Sequence, residues 1–199
     1  MDNESQFQDG EYLKSYQYRD SRNLGARAQL HQRYGSNPVG WFSWVMEHIA
    51  FKPGERVLEC GCGPGWLWRN NLKRIPENCQ ITLTDLSPGM VSEAENALAT
   101  TGHDFRFFDS DIRDLPFGGG DFDVVVANHM LYHVADRHKS LAEVKRVLKE
   151  NGRFIAATVG KRHTPTRGVT IVKGRDKCAG HFEITTDSGL FAATNIIHA

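Results

Sequence analysis

Between Lys52 and Val159, short runs of β-branched and aromatic residues alternate with stretches of helical periodicity. This alternation is typical of βαβ units, whose strands lie parallel in one sheet with helices on both faces. Two of the runs, 124–127 and 154–157, are apolar at every position, as in strands that are covered on both faces. We therefore predict an α/β fold with a doubly wound, mostly parallel sheet. The predicted strands cover residues 56–60, 80–85, 104–108, 122–128 and 153–159.

Further stretches carry helix signals. Ser87 and Pro88 stand where an N-cap and a first helical residue are expected, and apolar residues then recur at helical spacing. A second helix is predicted between 136 and 149, and a third lies just ahead of the first strand. Residues 1–50 contain helical patterns with polar and aromatic residues, so we predict a helical N-terminal cap that belongs to the same domain as residues 51–199.

The pattern changes after the fifth predicted strand. Residues 160–180 have no helical period, and two strand-like runs, HFEITT and LFAATNI, follow with a tight turn between them. Parallel strands need a crossover connection, usually a helix, and no candidate for one is visible here. We therefore predict a C-terminal antiparallel hairpin, reached through an irregular, shortened connection over residues 160–180.

Composition argues against several classes of protein. The 199 residues include 24 basic and 24 acidic side chains, and this formal charge of zero disfavours a nucleic-acid partner. No run of about 18 apolar residues is present, and the polar N-terminus lacks the apolar segment of a signal peptide. We expect a cytoplasmic protein with no membrane contact, and leave a homodimer open as its assembly.

A glycine-rich loop follows the first strand directly, in the stretch VLECGCGPGWLW. Gly61, Gly63 and Gly65 allow a tight turn and a close approach of the backbone to a ligand at the carboxyl end of the sheet. The dinucleotide fingerprint G-x-G-x-x-G has its third glycine one position later, so the spacing counts against NAD or FAD. Glu59, just ahead of the loop, places a carboxylate where it could attract a ligand ammonium.

Acidic residues also follow the second and third strands. Asp85 stands about 20 residues beyond the loop, where a carboxylate can accept hydrogen bonds from the vicinal hydroxyls of a ribose. Capping of the next helix is the structural alternative. Leu86 is suited to packing on a purine face. Asp111 is placed to accept from an adenine amino group, with Ile112 against the ring, although the other two aspartates of DSDIRD compete for that role.

The cysteines and histidines indicate no metal site. The four cysteines form neither a disulfide framework nor a paired CxxC pattern. Cys60 and Cys62 are two positions apart, so an extended strand would place both on one face. A metal pair there lacks partner ligands, and small buried thiols are the simpler interpretation.

Together these motifs resemble the class I S-adenosylmethionine-dependent methyltransferases, in particular the small-molecule group of the ubiquinone and menaquinone biosynthesis type (methyltransferase type 11). VLECGCGPG resembles the family's acidic-x-G-x-G-x-G loop, TDLSPGM its ribose-binding strand end and DSDIRDLPF its adenine-contacting stretch. FDVVVANHMLYHV and LAEVKRVLKENGRFIAATVG resemble its fourth-strand motif and the helix and strand that follow. The resemblance covers roughly residues 55–160. It implies a Rossmann-like fold, S-adenosylmethionine as cofactor, and transfer of a methyl group to a small molecule by in-line displacement.

The resemblance also implies particular binding residues. The glycine loop would hold the methionine moiety, Asp85 would hold the ribose, and Asn128 would face the methionine end near the reacting centre. RAQLHQRYGSNPVGWFSWV resembles the entry segment of a bacterial subgroup in which an aromatic helix closes over the site. Tyr34 and Trp41 are therefore candidates for covering the substrate, with Arg27 as a further contact. The implied cofactor-binding residues are Glu59, Gly61, Cys62, Gly63, Gly65, Asp85, Leu86, Met90, Asp111, Ile112 and Asn128.

The catalytic candidates lie in NHMLYHV, just beyond the fourth strand. An acceptor such as a phenol or an amine needs a base, and His129, Tyr132 and His133 are available there. For His133 a structural hydrogen bond to a backbone carbonyl is the stronger interpretation. Of two other functions, one stays open. The short C-terminal part would suit a catalytically weak cofactor-binding or interaction protein, whereas a nicotinamide-dependent oxidoreductase fails at the third glycine.

Overall fold

The computed structural model describes residues 8–25, 40–164, 167–174, 182–186 and 189–193, which contain one eight-stranded sheet. Its first five strands are β1 (Arg56–Cys60), β2 (Gln80–Asp85), β3 (Asp104–Asp109), β4 (Phe122–Asn128) and β5 (Leu148–Thr164). The other three are β6 (Arg167–Gly174), β7 (Phe182–Thr186) and β8 (Gly189–Ala193). Strands β1, β2 and β4 have the predicted bounds, and the order across the sheet is β3-β2-β1-β4-β5-β6-β7-β8.

Helices and helical turns connect and cover the strands. The helices are α1 (Gly10–Tyr12), which continues into a π-helical turn (Leu13–Gln17), α2 (Trp41–Ile49), α3 (Trp66–Arg69), α4 (Pro88–Leu98) and α5 (Arg137–Val147). The 3₁₀ turns are Leu72–Arg74 and Leu131–His133. As predicted, Ser87 caps α4, where its Oγ accepts from the Met90 N–H at 3.3 Å. Within the described ranges, no helix combines the length and the apolar character that crossing a membrane requires.

The first five strands are parallel, as the alternation of strand and helix signals predicts. β1 lies between β2 and β4, so the chain builds the sheet outward to β3 on one side and then crosses back to β4. In open parallel sheets the ligand crevice lies outside the carboxyl ends of the strands, at the point where the order reverses. The loops after β1 and β4 therefore border the crevice.

Two apolar layers cover the faces of the sheet. One contains side chains of α2, α3 and α4 together with Val57 and Val124, and the other contains side chains of α5 with Leu58 and Val125. Neighbouring residues of one strand belong to opposite layers because strand side chains alternate between faces. Trp68 of α3, at 0% exposure, is the largest fully buried side chain of the described residues.

The C-terminal part of the sheet differs from the prediction. β6 pairs antiparallel with β5, and antiparallel neighbours need only a short connection rather than a crossover helix. The irregular connection predicted over residues 160–180 needs correction, since 160–164 end β5 and 167–174 form β6. The β-branched residues of GVTIVKG carried a strand signal that the prediction overlooked. β7 and β8 pair antiparallel with each other, and the rest of this stretch lies outside the described residues.

Alanine substitutions at two glycines, Gly65 and Gly102, test how closely the loop after β1 packs on α4. Gly65 and Gly102 both have left-handed backbone, at φ of 73° and 83°. A Cβ at Gly65 would lie 2.8 Å from Leu98 Cδ1 and 3.3 Å from Ala94 Cβ, whereas one at Gly102 would meet nothing within 4 Å. We expect Gly102→Ala to lose about 1–2 kcal/mol of unfolding free energy through its backbone. Gly65→Ala should lose about 1–3 kcal/mol more through overpacking.

Urea titrations of the two variants measure this difference directly. Equal losses in Gly65→Ala and Gly102→Ala would contradict the close packing of the loop against α4.

Candidate functional site

The loop after β1 is built on left-handed glycines. Gly61 and Gly63 have φ of 70° and 53°, a region that residues with a side chain rarely adopt. A Cβ at Gly61 would lie 2.7 Å from Met130 Cβ, so the segment after β4 packs directly on this glycine. The next N–H, that of Cys62, returns to the sheet and donates to the Thr84 carbonyl at 2.9 Å. These contacts hold the loop backbone tightly at the edge of the crevice.

Asp85 ends β2 with its carboxylate turned towards this loop. Its Oδ2 accepts from the Gly63 N–H at 2.9 Å, and its Oδ1 accepts from the Ser87 N–H at 2.9 Å. Burial raises the pKa of Asp85, against the opposing effect of these backbone hydrogen bonds. The carboxylate therefore joins the loop to the turn that begins α4. Asp85 accepts a bond from the turn that leads into α4, which is close to the helix-capping role named above as the structural alternative. The same carboxylate also lies at the edge of the crevice.

Glu59 is buried one residue before the end of β1. Its side chain is 1% exposed, and Oε2 accepts from the Trp68 Nε1–H at 2.6 Å. Burial raises the pKa of Glu59 to about 8; the Trp68 hydrogen bond opposes this rise, and the charge of Asp85 adds to it. Trp68 also stacks on Phe51 at a centroid distance of 5.4 Å. Glu59 thus anchors α3 to β1, and any contact with a ligand ammonium would be made from this buried position.

The two cysteines of the loop lie on opposite faces of the sheet. Cys60 belongs to the apolar layer of α5, and Cys62 to the layer of α2, α3 and α4. The prediction that they share a face is wrong, because the left-handed Gly61 ends the extended strand between them. Burial raises the pKa of Cys60 to about 12 and that of Cys62 well above its ordinary value. Both are therefore protonated packing groups, as the simpler interpretation held.

Asp111 lies after β3 and is held by its own neighbour. Arg113 donates to it through Nε at 3.0 Å and through Nη2 at 2.6 Å, and its backbone N–H adds a bond of 2.8 Å. Burial raises the pKa of Asp111, but these bonds outweigh it and leave the pKa below its ordinary value. Both carboxylate oxygens are thus engaged, so the predicted bond to an adenine amino group would share oxygens with Arg113.

Asn128 and His129 lie at the carboxyl end of β4. Asn128 Oδ1 is buried without a hydrogen-bond partner, which is uncommon for a buried polar atom. His129 has left-handed backbone, at φ of 55°, and its N–H donates to the Ala157 carbonyl at 2.9 Å. Its ring lies against Trp41, at a centroid distance of 4.6 Å, and Trp41 Nε1 is also buried without a partner. The start of α2 and the end of β4 therefore meet at the crevice.

Tyr132 and His133 lie in the 3₁₀ turn that follows β4, with ring centroids 4.4 Å apart. The Tyr18 hydroxyl lies 2.8 Å from His133 Nε2, so the N-terminal segment reaches this turn. His133 thus has a hydrogen-bond partner of a kind different from the backbone carbonyl that the sequence suggested. In the described residues, no group of three or more His, Cys, Asp or Glu side chains could hold a metal ion.

The remaining predicted residues separate into three groups. Leu86 is half-buried beside the N-terminal segment, where its Cδ2 lies 3.6 Å from the position of a Cβ on Gly10. Met90 and Ile112 are 1% and 5% exposed, so they support the crevice from the core. Tyr34, and with it Arg27, lies outside the described residues.

Sequence reasoning missed the partners that hold several of these groups. Arg113 follows Asp111 by two positions, so a local ion-pair signal was available. Trp68 is nine positions from Glu59, and a buried acid near an indole is a weaker signal. Tyr18 is 115 positions from His133, and no local pattern could indicate that contact.

The part of the chain that contains this crevice matches a known protein family. Residues 58–156 match the family model described as a methyltransferase domain, a range that runs from β1 into β5 and includes the glycine loop and Asp85. The chain belongs to the class I methyltransferases. It is 29% identical over 126 residues to the demethylmenaquinone methyltransferase of Symbiobacterium thermophilum, covering 61% of this chain and 50% of that protein.

A second relative gives the same match. The ubiquinone/menaquinone biosynthesis C-methyltransferase UbiE of Laribacter hongkongensis is 28% identical over 129 residues, covering 65% of this methyltransferase and 53% of that protein. The chain thus spans about half the length of these relatives.

Solved structures are similar in fold. A chain of the complex between the Haloferax volcanii Trm112 methyltransferase activator and a methyltransferase has a TM-score of 0.57 and 26% identity, covering 71% of this chain and 59% of that one. A SAM-dependent methyltransferase from Aquifex aeolicus has a TM-score of 0.58 at 18% identity, covering 71% and 77%.

The buried Glu59 gives this methyltransferase a testable pH dependence. Its carboxyl has a pKa of about 8 in the folded chain, against an ordinary value of 4.5. Because the folded state holds this proton more tightly than the unfolded state, Glu59 costs stability as the pH rises from 4.5 to 8. The slope is at most about 1.4 kcal/mol per pH unit. Glu59→Gln, which is neutral throughout, should remove this loss.

Urea unfolding at pH 5, 6, 7 and 8 measures the slope for the wild type and for Glu59→Gln. Glu95→Gln, at an exposed position of α4, is the matched control and should keep the wild-type slope. An unchanged slope in Glu59→Gln would show that Glu59 is ionised throughout this range.

Proposed function

We propose that the chain binds S-adenosylmethionine in the crevice between β1 and β4 and transfers its methyl group to a small molecule. The observation that carries this proposal is the Asp85 carboxylate, 2.9 Å from the Gly63 N–H of a left-handed glycine loop at the reversal point of a parallel sheet. The relatives, a demethylmenaquinone methyltransferase and a C-methyltransferase of ubiquinone and menaquinone biosynthesis, support the reaction class.

The residues at the edge of the crevice suit this cofactor in their backbone and in their polar groups. Side chains at Gly61 would collide with Met130, so the glycines keep the backbone free for close approach of the methionine moiety. The unpaired Asn128 Oδ1 is an acceptor suited to an ammonium N–H. Two carboxyls whose pKa values burial raises, Glu59 and Asp85, lie close enough for the charge of one to affect the other. A cationic ligand would favour their ionised forms.

The protein's contribution to methyl transfer would be alignment. When bound, S-adenosylmethionine supplies a methyl group on a positively charged sulfur, which is already activated for displacement. Holding an acceptor in line with that methyl can supply about 7–11 kcal/mol of the barrier. The ring pair of Trp41 and His129, 4.6 Å apart, would form an aromatic wall beside the acceptor. Such faces also attract cations.

We assign removal of the acceptor proton to His129 rather than to His133. His133 lies further along the chain, in the turn after β4, where its bond to Tyr18 at 2.8 Å ties it to the N-terminal segment. His129 directly follows Asn128 and is held in place by the bond from its N–H to Ala157 and by its contact with Trp41. Its left-handed backbone, of a kind that occurs often at functional sites, supports this choice.

Cofactor binding is tested by thermal unfolding. We expect S-adenosylmethionine and its demethylated product to raise the melting temperature, by an amount equivalent to about 2.7 kcal/mol at 100 times the dissociation constant. NAD and NADP should have no effect. In Asp85→Asn the loss of charge should weaken binding on the order of 10- to 100-fold.

Asp104→Asn is the control for that substitution, because Asp104 begins the neighbouring strand β3, at the end of the strand away from the crevice, and is exposed. Calorimetry on the three proteins gives the dissociation constants. The absence of any binding to the wild type at millimolar cofactor would refute the proposed function.

The proposed base is tested by kinetics once an acceptor is found by screening phenols and amines. Removing the base should lower kcat about 10²- to 10⁴-fold in His129→Ala while the dissociation constant for S-adenosylmethionine stays near that of the wild type. His48→Ala, on the distant end of α2, should keep full activity. Full activity in His129→Ala would exclude this residue as the base.

A further inference from the structure

The N-terminal segment 8–25, called the strap below, reaches the glycine loop and the end of β2. Leu24 Cδ2 lies 3.5 Å from where a Cβ on Gly63 would stand. At the other end of the strap, Gly10 lies against Leu86, with 3.6 Å between its Cβ position and Leu86 Cδ2. The strap therefore contacts the segments on both sides of Asp85, the residue proposed to hold the ribose.

The strap also rests on the first turns of α4. The Arg19 carbonyl oxygen comes so close to Gly89 that a Cβ there would lie 2.0 Å from it. One turn further along the helix, Glu93 Oε1 accepts from the Ser21 N–H at 3.1 Å. Only a glycine at position 89 permits this approach of the strap backbone. Gly89 is therefore the residue on which the strap is seated.

A third contact lies across the crevice, at the turn after β4. The Tyr18 hydroxyl and His133 Nε2 are 2.8 Å apart, and the two rings meet edge to face at 5.2 Å between centroids. Tyr18 directly precedes Arg19, the residue on Gly89. The strap thus spans from α4 to the β4 turn, and its contacts lie on each side of the crevice.

We infer that the strap is part of the cofactor site: it covers S-adenosylmethionine bound in the crevice and has to lift for the cofactor to enter and leave. This inference rests on the proposed function. The glycine loop, Leu86, α4 and the β4 turn surround the crevice, and the strap contacts all four. A ligand lying between Gly63 and Asp85 would therefore be enclosed beneath the strap.

The strap holds its own local structure through hydrogen bonds among its residues, so it can move as a unit. It carries its own local bonds, including the N–H of Tyr12 to Asp9 Oδ1 at 3.3 Å and Asn23 Nδ2 to the Gln17 carbonyl at 3.1 Å. Its hydrogen bonds to the body of the domain include the Tyr18–His133 bond and the Ser21–Glu93 bond. Of the described residues 8–25, Leu13 is the buried side chain, at 6% exposure, and segments with few buried side chains open locally at low cost. Lifting the strap breaks the bonds of Tyr18 and Ser21, separates Arg19 from Gly89 and exposes Leu13.

The test compares rates of cofactor exchange. Tyr18→Phe removes the bond to His133, and Gly89→Ala places a methyl group against the Arg19 carbonyl. Stopped-flow tryptophan fluorescence, with S-adenosylmethionine as the probe, gives the association and dissociation rate constants. We expect the dissociation rate constant to rise about fivefold in Tyr18→Phe, the effect of one lost hydrogen bond, and at least as much in Gly89→Ala.

Matched controls separate the strap from general effects. Tyr16→Phe alters a tyrosine of the strap that is 71% exposed, and it should exchange cofactor at the wild-type rate. Ser92→Ala alters an exposed residue of α4, and it shows the effect of adding an alanine to that helix. Alanine has a higher helix propensity than glycine, so a loss of binding in Gly89→Ala cannot come from a weakened helix. Thermal unfolding of each variant without cofactor establishes that it is folded.

Trypsin provides a second measurement on the wild type. The side chains of Arg19 and Arg22 are 66% and 75% exposed, so cleavage after them reports opening of the strap. S-adenosylmethionine should slow this cleavage in the wild type and in Tyr16→Phe, and should protect Gly89→Ala much less.

The outcomes distinguish the two proposals. If the wild type binds no cofactor, the proposed function fails. If the wild type binds and Tyr18→Phe and Gly89→Ala exchange cofactor at its rate, the inference about the strap is overturned. It is also overturned if these variants bind more tightly, since the strap would then compete with the cofactor rather than cover it.

Discussion

The carboxylate of Asp85 holds together the segments on which the crevice depends. It accepts from the Gly63 N–H and from the Ser87 N–H, both at 2.9 Å, and so couples the loop after β1 to the start of α4. The register of β1 on β2 allows Asp85 to make both of these bonds. Cys60 of β1 pairs with Thr84 of β2, which places Asp85 level with the turn that the loop makes. A shift of one residue would turn this side chain to the other face of the sheet.

Charge gives the crevice its chemical character. Burial raises the pKa of both Glu59 and Asp85, which means that each carboxyl gives up its proton reluctantly and would gain from a nearby cation. The loop from Glu59 to Trp66 contains no lysine or arginine. Such a site is poorly suited to the pyrophosphate of a dinucleotide and well suited to a ligand with an ammonium and a sulfonium. This argument is independent of the glycine spacing, and both favour the same cofactor.

The sequence was sufficient for the elements whose signals are local. The apolar run of β4 and the Ser87–Pro88 start of α4 depend on neighbouring residues, and the structure has both at the predicted positions. Asp85 and the glycine loop could be placed because the carboxyl ends of parallel strands share one edge. The opposite faces of Cys60 and Cys62 were missed because a single left-handed glycine interrupts the alternation.

The contacts made over long sequence distances had no such signal. Tyr18 of the N-terminal segment meets His133 in the turn after β4, 115 positions away, whereas the bond from Trp68 to Glu59, nine positions apart, had only a weak signal. The antiparallel β6 was missed for a different reason. A crossover helix is needed only before another parallel strand, whereas the β-branched residues of this segment form an antiparallel neighbour of β5.

The placement of β6 bears on where acceptor specificity is encoded. Since β6 continues the sheet beside β5, it extends the layer of strands and adds no helix above the crevice in the described residues. Trp41 and Tyr18 reach the crevice from the part of the chain before β1: the Trp41 ring lies against His129, and Tyr18 bonds to His133. Both touch residues of the segment 129–133 that follows β4, and the carboxyl end of β4 lies nearest the proposed reacting centre. The residues before β1 should therefore contribute to the choice of acceptor, and the strand ends from β1 to β4 to binding of the proposed methyl donor.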